Sequence, residues 1–310
     1  MAHDNYHIVQ PGQVGQVLGP GGAAGDVLER LEISVTDAAA CEVSIKDGGG
    51  SAITVLPQPL GAGLGAYSIP FGAPSKAGPW SITAGLGSTV KAVGSFSRKN
   101  QADRLSLPGT AGNYASTPDS AAVSITGDID IRVKLAANDW SSAQQTVIGI
   151  WNANASDISY MLSLAGAGTL LVNLSADGAS NNFAFSTAAV SFADGAIGWI
   201  RMTWRASDGR IQFFTSSDGI TWTQLGTDIT RAIGSLFDGA GALRIGAYAN
   251  ADADFLTGKV YYAEIRNGID GEVVAKFDPR EGDIAATTFT SGTGEVWTIN
   301  QSGSPAAVLD

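Results

Sequence analysis

The chain has 310 residues, of which 40 are glycine and 15% are charged, and its formal net charge is −11. This length is sufficient for one large domain or for two of ordinary size. Long helices are usually rich in Glu, Lys, Leu and Arg, so this composition favours short strands joined by tight turns. Because an acidic surface repels phosphate backbones and anionic lipid, we expect no nucleic-acid partner.

The sequence shows no sign of export or membrane insertion. No run of 18 apolar residues occurs, and the N-terminal MAHDNYHIVQPG lacks the basic and apolar regions of a signal peptide. We therefore expect a protein that is made in the cytoplasm of its host cell and is not inserted in a membrane. The single cysteine, Cys41, cannot form an intrachain disulfide, and we interpret it as a core residue.

Residues 1–26 are rich in Gly, Gln and Pro and have neither a helical nor a strand period of useful length. This composition predicts an extended arm. Such an arm is either a disordered tail or a segment that becomes ordered on a partner, because only an interface offsets the entropy lost on ordering.

Residues 27–97 have the pattern of a small β-sandwich. Leu31, Ile33 and Val35 alternate with polar residues, which is the period of a strand with one wet face. The glycine-rich turn in KDGGGSAITV predicts a hairpin, since glycine adopts positive φ without strain. Further strands are predicted near Tyr67–Phe71, Trp80–Thr83 and Val90–Phe96, and the charged residues 98–104 are predicted to be a linker.

Residues 105–310 have a longer series of alternating strands. Ile129 to Leu135 and Ile200 to Trp204 each place apolar residues at every second position. In RASDGRIQFFTSSDGITWT, two Ser-Asp-Gly turns bracket one strand, which predicts a three-stranded meander. We expect Trp204 and Trp222 of this meander to lie in the core. The predicted fold class is all-β throughout.

Several ordered segments of residues 105–310 resemble the concanavalin A-like, laminin-G-like jelly roll. They include LSLPGTAGNYASTP, WIRMTWRASDGRIQFFTSSDGITWTQLG and LRIGAYANADADFLTGKVYYAEIRNGIDGEVVAKFDP. The resemblance implies a large two-sheet β-sandwich. It leaves function open, because this fold is found in lectins, enzymes and purely structural modules.

The N-terminal part, from HIVQPGQVGQVLG to AVGSF, is similar to a small β domain of bacteriophage structural proteins. The similarity implies that residues 1–97 dock on a virion, with the major capsid protein or another virion protein as partner. A capsid lattice has threefold axes, so we expect a homotrimer. The apolar residues of the arm that are expected to contact the capsid are Tyr6, Ile8, Val9, Val14, Val17 and Leu18.

Catalytic residues are not predicted. Concanavalin A-like glycoside hydrolases would be expected to have a Glu-x-Asp-x-x-Glu strand, but Glu281-Gly282-Asp283 lacks the last glutamate and follows a Pro-Arg turn. Both histidines, His3 and His7, lie in the arm, so residues 105–310 have no imidazole for a triad or a zinc site. We therefore predict a protein that is not an enzyme.

Two polar segments are candidate binding sites. Asn250, Asp252 and Asp254 alternate as oxygen ligands of calcium do, although Phe255 and Tyr261 replace the glycine and glutamate of an EF-hand. A solvated loop is the alternative, and no other cofactor is predicted. An aromatic platform with nearby amides and carboxylates is typical of sugar binding. The candidate ligand-binding residues are Trp140, Trp151, Asn152, Asn154 and Asp157. Core packing is the alternative for Trp151.

The sequence thus predicts a virion protein that decorates the capsid surface, with the jelly roll exposed and binding cell-surface glycans weakly. A tail fibre or receptor-binding protein that recognises host glycans is the alternative. The absence of coiled-coil heptads counts against a long fibre. A glycoside hydrolase is the third hypothesis.

Overall fold

The computed structural model describes residues 3–9, 16–17, 26–35, 43–47, 51–56, 65–74, 80–84, 90–98, 101–141, 143–152, 156–248 and 254–310. The chain divides into two compact units, residues 1–100 and residues 101–310, which we call unit 1 and unit 2. The described residues form strands and short 3-10 turns and include no α-helix. The predicted all-β class is therefore confirmed.

Unit 1 is a small sandwich of two four-stranded antiparallel sheets. Their orders are β1-β8-β3-β6 and β2-β7-β4-β5. The predicted alternation is present, because Leu31, Ile33, Val43 and Ile45 are all buried. The predicted hairpin is also present, with Lys46 opposite Ala52. The strands are β1 (His3–Val9), β2 (Gln16–Val17), β3 (Asp26–Val35), β4 (Val43–Asp47), β5 (Ala52–Leu56), β6 (Gly65–Pro74), β7 (Trp80–Ala84) and β8 (Val90–Arg98).

The segment predicted to be an arm contributes two of these strands. β1 pairs with β8 along its whole length, and β2 pairs with β7. The prediction of an extended arm is corrected for residues 3–9 and 16–17, because backbone hydrogen bonds to a neighbouring strand stabilise segments whose side-chain pattern is weak. Of the predicted docking residues, Tyr6, Ile8 and Val9 lie in β1 and Val17 lies in β2. The remaining two, Val14 and Leu18, are outside the described residues.

The predicted linker 98–104 is also corrected. Arg98 ends β8, whereas residues 101–104 belong to unit 2. Ala102 is fully buried there, and the N–H groups of Asp103 and Arg104 both donate to the Asp310 carbonyl oxygen. A charged stretch therefore pairs with the C-terminal residues, which a sequence pattern does not reveal.

Unit 2 is a jelly-roll sandwich of two large antiparallel sheets. The eight-stranded sheet has the order β15-β14-β13-β12-β20-β10-β24-β23. The nine-stranded sheet has the order β18-β17-β16-β11-β21-β9-β25, with β19 beside β17 and β22 beside β21. The strands are β9 (Leu105–Pro108), β10 (Tyr114–Thr117), β11 (Ile129–Ala137), β12 (Gln145–Asn152), β13 (Asp157–Ala165), β14 (Thr169–Leu174), β15 (Asn182–Phe185), β16 (Gly198–Arg205), β17 (Arg210–Ser216), β18 (Thr223–Gln224), β19 (Ile229–Thr230), β20 (Leu243–Ile245), β21 (Thr257–Asn267), β22 (Glu272–Phe277), β23 (Thr288–Thr290), β24 (Val296–Asn300) and β25 (Val308–Leu309).

The core of unit 2 contains apolar residues from both sheets. Trp204, Phe213, Phe277 and Trp297 are among its largest fully buried side chains. The predicted meander is formed by β16, β17 and β18. Because one face of each strand packs in this core, polar side chains at the alternate positions of the nine-stranded sheet lie on its outer face.

Candidate functional site

The central strand β11 brings three charged side chains to the outer face of the nine-stranded sheet. Ile131 and Val133 are fully buried in the core, so Asp130, Arg132 and Lys134 point to the other side. The cross-strand neighbours of Arg132 are Arg201 and Glu264, and those of Lys134 are Trp199 and Tyr262.

A β-bulge adds a second tyrosine to this face. Lys134 is opposite Tyr262, but the next residue, Leu135, is opposite Val260, so Tyr261 is the extra residue. A bulge redirects side chains, and both tyrosines are half-buried. The Lys134 ammonium is 5.7 Å from the Tyr261 ring centroid, and the rings of Trp199 and Tyr262 are also 5.7 Å apart. Three aromatic rings therefore lie close to one lysine.

These side chains line a cavity of 510 Å³ on the surface of unit 2, which we call the basic aromatic cleft. This volume is within the range of small-molecule and sugar sites. The lining residues are Asp103, Arg104, Arg132, Lys134, Trp199, Gly219, Tyr261, Tyr262, Glu264, Arg266 and Arg280.

The carboxylate of Asp130 is fully buried next to the cleft and holds Arg132, one of the lining residues. It accepts two hydrogen bonds from Arg132 and two from Arg201, with distances of 2.7 to 3.2 Å. The Asp270 carboxylate also contacts both guanidinium groups. Burial opposes ionisation of Asp270, but the charge and hydrogen bonds of the two arginines hold its pKa below the usual value.

Trp222 covers this arginine pair. Its ring centroid is 5.6 Å from the Arg132 guanidinium carbon and 5.7 Å from that of Arg201, which is the distance of cation–π contacts. The ring is half-buried, so the prediction that Trp222 lies in the core is wrong. It remains outside the core because its partners are charged. Trp204 is fully buried, as predicted.

The cations of the cleft differ in how they are compensated. Arg280 makes two hydrogen bonds to Asp278, and these raise its pKa. Arg104 pairs with Asp310. Among the described residues no carboxylate lies within ion-pair distance of the Lys134 ammonium.

Most carboxylates near the cleft already accept hydrogen bonds from protein groups. The Glu264 side chain is only 7% exposed and accepts hydrogen bonds from Arg266 and from the Tyr262 hydroxyl. Burial first, and then the charge of Glu264, raises the pKa of Tyr262, so its hydroxyl remains a donor. The cleft therefore presents ammonium, guanidinium and aromatic groups to solvent, which suits ligands with both apolar faces and oxygen acceptors.

The two tryptophans that were predicted to bind a ligand are buried. Trp140 is 2% exposed in the core, its ring packs on Phe192 and its indole N–H donates to the Ala196 carbonyl oxygen. The prediction that Trp140 binds a ligand is corrected, because the loop that carries Trp140 folds into the core. Trp151 packs with Ile158 and Met161 in a small cluster of buried residues, in agreement with the alternative that Trp151 is a packing residue.

The polar residues of that segment are separate from the basic aromatic cleft. Asn152 ends β12 opposite Asp157, and Asn154 is outside the described residues. Asp157 lines a second cavity, of 570 Å³, together with Asp119 and Asp238. Burial, and then the charge of Asp119, raises the pKa of Asp157. This cavity is acidic and differs in chemistry from the cleft.

The predicted calcium loop is only partly described. Asn250 and Asp252 are outside the described residues, and Asp254 accepts a hydrogen bond from the Gln144 amide at 3.3 Å. Burial raises the pKa of Asp254. In the part of the chain that the structure describes, no three acidic, histidine or cysteine side chains are grouped closely enough to hold a metal ion.

The acidic motif near residue 281 lies outside any strand. Glu281 is in a 3-10 turn, where it accepts hydrogen bonds from the Lys276 ammonium and the Gly292 N–H. Asp283 follows in an exposed loop. The structure agrees with the sequence analysis, in which these residues follow a Pro-Arg turn and do not match a hydrolase strand. Within the described ranges, no helix has the length and apolarity needed to cross a membrane.

Comparisons with known proteins add similar structures at low identity. No protein-family model matches this chain, and no curated protein matches its sequence. Mouse laminin alpha1 chain domains LG4-5 match with 11% identity over 89% of this chain and 92% of that chain, with a TM-score of 0.41. The CBM40 module of a Ruminococcus gnavus IT-sialidase, bound to alpha2,3 sialyllactose, matches with 10% identity over 55% and 95% of the two chains, with a TM-score of 0.39. A heptameric SAP-like pentraxin from Limulus polyphemus matches with 14% identity over 54% and 77%, with a TM-score of 0.39.

Proposed function

We propose that this chain is a non-enzymatic binding protein and that the basic aromatic cleft of unit 2 binds glycans. The observation that carries the proposal is the arrangement of Trp199, Tyr261 and Tyr262 around Lys134 on the outer face of one sheet. Aromatic rings pack against the apolar faces of sugars, and charged donors bind their oxygen atoms.

The geometry favours binding over hydrolysis. Glycoside hydrolysis needs two carboxyl groups on either side of the scissile bond, one of them free to donate a proton. Of the two carboxylates that line the cleft, Glu264 is enclosed by its donors, whereas Asp103 is exposed. A single exposed carboxylate does not provide the required pair.

The test is a glycan array probed with the full chain, followed by titration calorimetry on the best ligand. Tyr261→Ala is expected to weaken binding several-fold, because an aromatic contact contributes roughly 1 kcal/mol. Phe185→Ala is the matched control, since Phe185 is 45% exposed on the edge strand of the other sheet. If no glycan binds, or if both variants bind as the wild type does, the cleft is not a glycan site.

We propose, as a separate step, that unit 1 attaches the protein to a bacteriophage capsid and that unit 2 is exposed on the virion as a decoration. This step is supported by the resemblance of residues 7–33 and 66–96 to a small β domain of phage structural proteins. A homotrimer placed at the threefold axes of the capsid is part of the proposal.

Attachment is tested by incubating the full chain with preformed capsids and locating the added density by electron microscopy. Density on the capsid lattice supports decoration. Density confined to the tail instead favours a receptor-binding fibre protein, and release of reducing sugar from a bound glycan favours a hydrolase. Light scattering of the free chain measures whether it is a trimer.

A further inference from the structure

We propose that the glycan bound in the basic aromatic cleft carries a negatively charged substituent, and that the Lys134 ammonium binds this substituent. The proposal rests on the glycan-binding function proposed above. It adds the chemical class of the ligand, a sugar bearing a carboxylate or a sulfate, and the residue that sets this specificity.

The surface of the cleft is richer in cationic than in anionic side chains. Five cationic side chains line the cavity and only two carboxylates do so, in a chain whose formal net charge is −11. One of these carboxylates, Glu264, is 7% exposed and bound by Arg266. The Asp130 carboxylate that neutralises the floor is fully buried beneath the surface. The lining of the cleft therefore has an excess of cationic over anionic side chains, and this excess attracts anionic ligands.

Lys134 differs from the other cations of the cleft in its ion pairing. The other cations of the cleft each have a carboxylate partner, for example Arg280 with Asp278 and Arg104 with Asp310. Lys134 is half-buried and contacts the Tyr261 ring, and no described carboxylate is within ion-pair distance of it. An ammonium group has three donors, and one face of it is occupied by the ring. A ligand anion would supply the charged acceptor that none of the described residues provides.

The strands hold Lys134 in a fixed position relative to the aromatic rings of the cleft. The cross-strand neighbours of Lys134 are Trp199 on β16 and Tyr262 on β21, and the bulge places Tyr261 beside it. These residues are on hydrogen-bonded strands, so the ammonium and the rings are held in a fixed relation. A sugar ring that packs on the aromatic side chains would place its acidic substituent at a defined distance from Lys134.

The test uses pairs of oligosaccharides that differ only in charge. The first pair is an oligogalacturonate and its methyl ester, and the second is a sulfated dextran oligosaccharide and its unsulfated form. Sodium sulfate alone shows whether a free anion is sufficient. Each ligand is titrated into the full chain by calorimetry, at about 0.05 M and about 0.3 M NaCl, where screening differs strongly.

We expect the anionic member of at least one pair to bind about tenfold more tightly than its neutral partner, a difference of about 1.4 kcal/mol. Lys134→Ala is expected to remove this difference by weakening the anionic member about tenfold more than the neutral member, whereas Lys134→Arg retains most of it. Lys259→Ala is the matched control, because Lys259 is an exposed lysine of β21 outside the cleft. The preferred pair identifies the anion as a carboxylate or a sulfate.

Three other outcomes separate the two proposals. If charged and neutral members bind equally well and Lys134→Ala affects neither, the cleft binds sugars but not their charge, and the inference about Lys134 is overturned. If Lys134→Ala and Lys259→Ala weaken anionic ligands equally, the attraction is a general surface effect, which also overturns it. If no member of either pair and no glycan on the array binds, the glycan-binding function itself is refuted.

Discussion

Replacement of Gly219 by alanine tests whether the turn between β17 and β18 holds the aromatic wall of the cleft. Gly219 has a φ of +76°, and an added Cβ would be 2.6 Å from Cε2 of Trp199. A real Cβ does not approach another carbon this closely, so either the turn or the indole ring must move by about 1 Å. Trp199 packs between Trp222 and Tyr262, so its displacement changes the shape of the cleft.

The expected loss of stability in Gly219→Ala has two causes, and a control variant separates them. Alanine in the left-handed region costs about 1 kcal/mol or somewhat more. Gly195→Ala isolates this part, because Gly195 has a φ of +72° and nothing within 4 Å of its added Cβ. Overpacking against Trp199 adds about 1–3 kcal/mol in Gly219→Ala. We therefore expect a total loss of about 2–4 kcal/mol for Gly219→Ala and about 1 kcal/mol for Gly195→Ala.

The assay is urea unfolding followed by tryptophan fluorescence, since Trp80 is the single tryptophan of the chain that lies in unit 1. Calorimetry with the best glycan gives the second measurement. We expect affinity to fall by up to about tenfold in Gly219→Ala, through the loss of an aromatic contact, and to stay unchanged in Gly195→Ala. Equal losses of stability in the two variants, with normal binding in both, would refute the claim that this turn positions Trp199.

Three further predictions concern stability. Asp130→Asn is expected to cost about 3 kcal/mol, because it removes the charge that two nearly buried arginines share, whereas Asp208→Asn at an exposed pair should leave the urea midpoint unchanged. Asp157→Asn should raise the midpoint at pH 7, because the raised pKa of Asp157 means that its ionised form destabilises the fold. The gain should disappear as the pH falls through the raised pKa of Asp157 to below the usual aspartate range, where the carboxyl is protonated in both the folded and the unfolded state, and a constant gain at all pH values would contradict this cause. Tyr160→Phe should cost about 1–2 kcal/mol, since the buried hydroxyl donates to the Val123 carbonyl oxygen at 3.0 Å, and an unchanged midpoint would show that this hydrogen bond contributes nothing.

Much of the fold follows from local patterns that the sequence displays directly. Alternation in β11 and β16 predicts which residues face the core, and both predictions agree with the buried positions. The Ser-Asp-Gly turns predict the meander, because positive φ favours glycine. Alternation identifies the side chains that face the apolar core, but it does not show how exposed the other face is, because Asp130, Arg201 and Thr203 are also buried.

The candidate site was predicted less well. The sequence shows that Arg132 and Lys134 lie on the wet face of a strand, but not that Trp199 and Tyr262 flank Lys134. Trp140 was expected at a rim and is in the core instead. Aromatic residues beside Asn and Asp are a weak signal, because the same composition occurs in loops that fold inward and in loops that bind ligands.

The sequence alone determined the fold class, the positions of strands such as β11, β16 and β17, and which of their side chains face the core, because these features depend on residues a few positions apart. The tertiary structure decided the cleft. Its central members meet through the pairing of β16, β11 and β21 and through a bulge in β21, whereas Asp103, Arg104 and Arg280 come from segments outside these strands. Strand register is set by backbone hydrogen bonds and core packing between distant segments, and a shift of one residue would place Lys134 in the core and disperse the site.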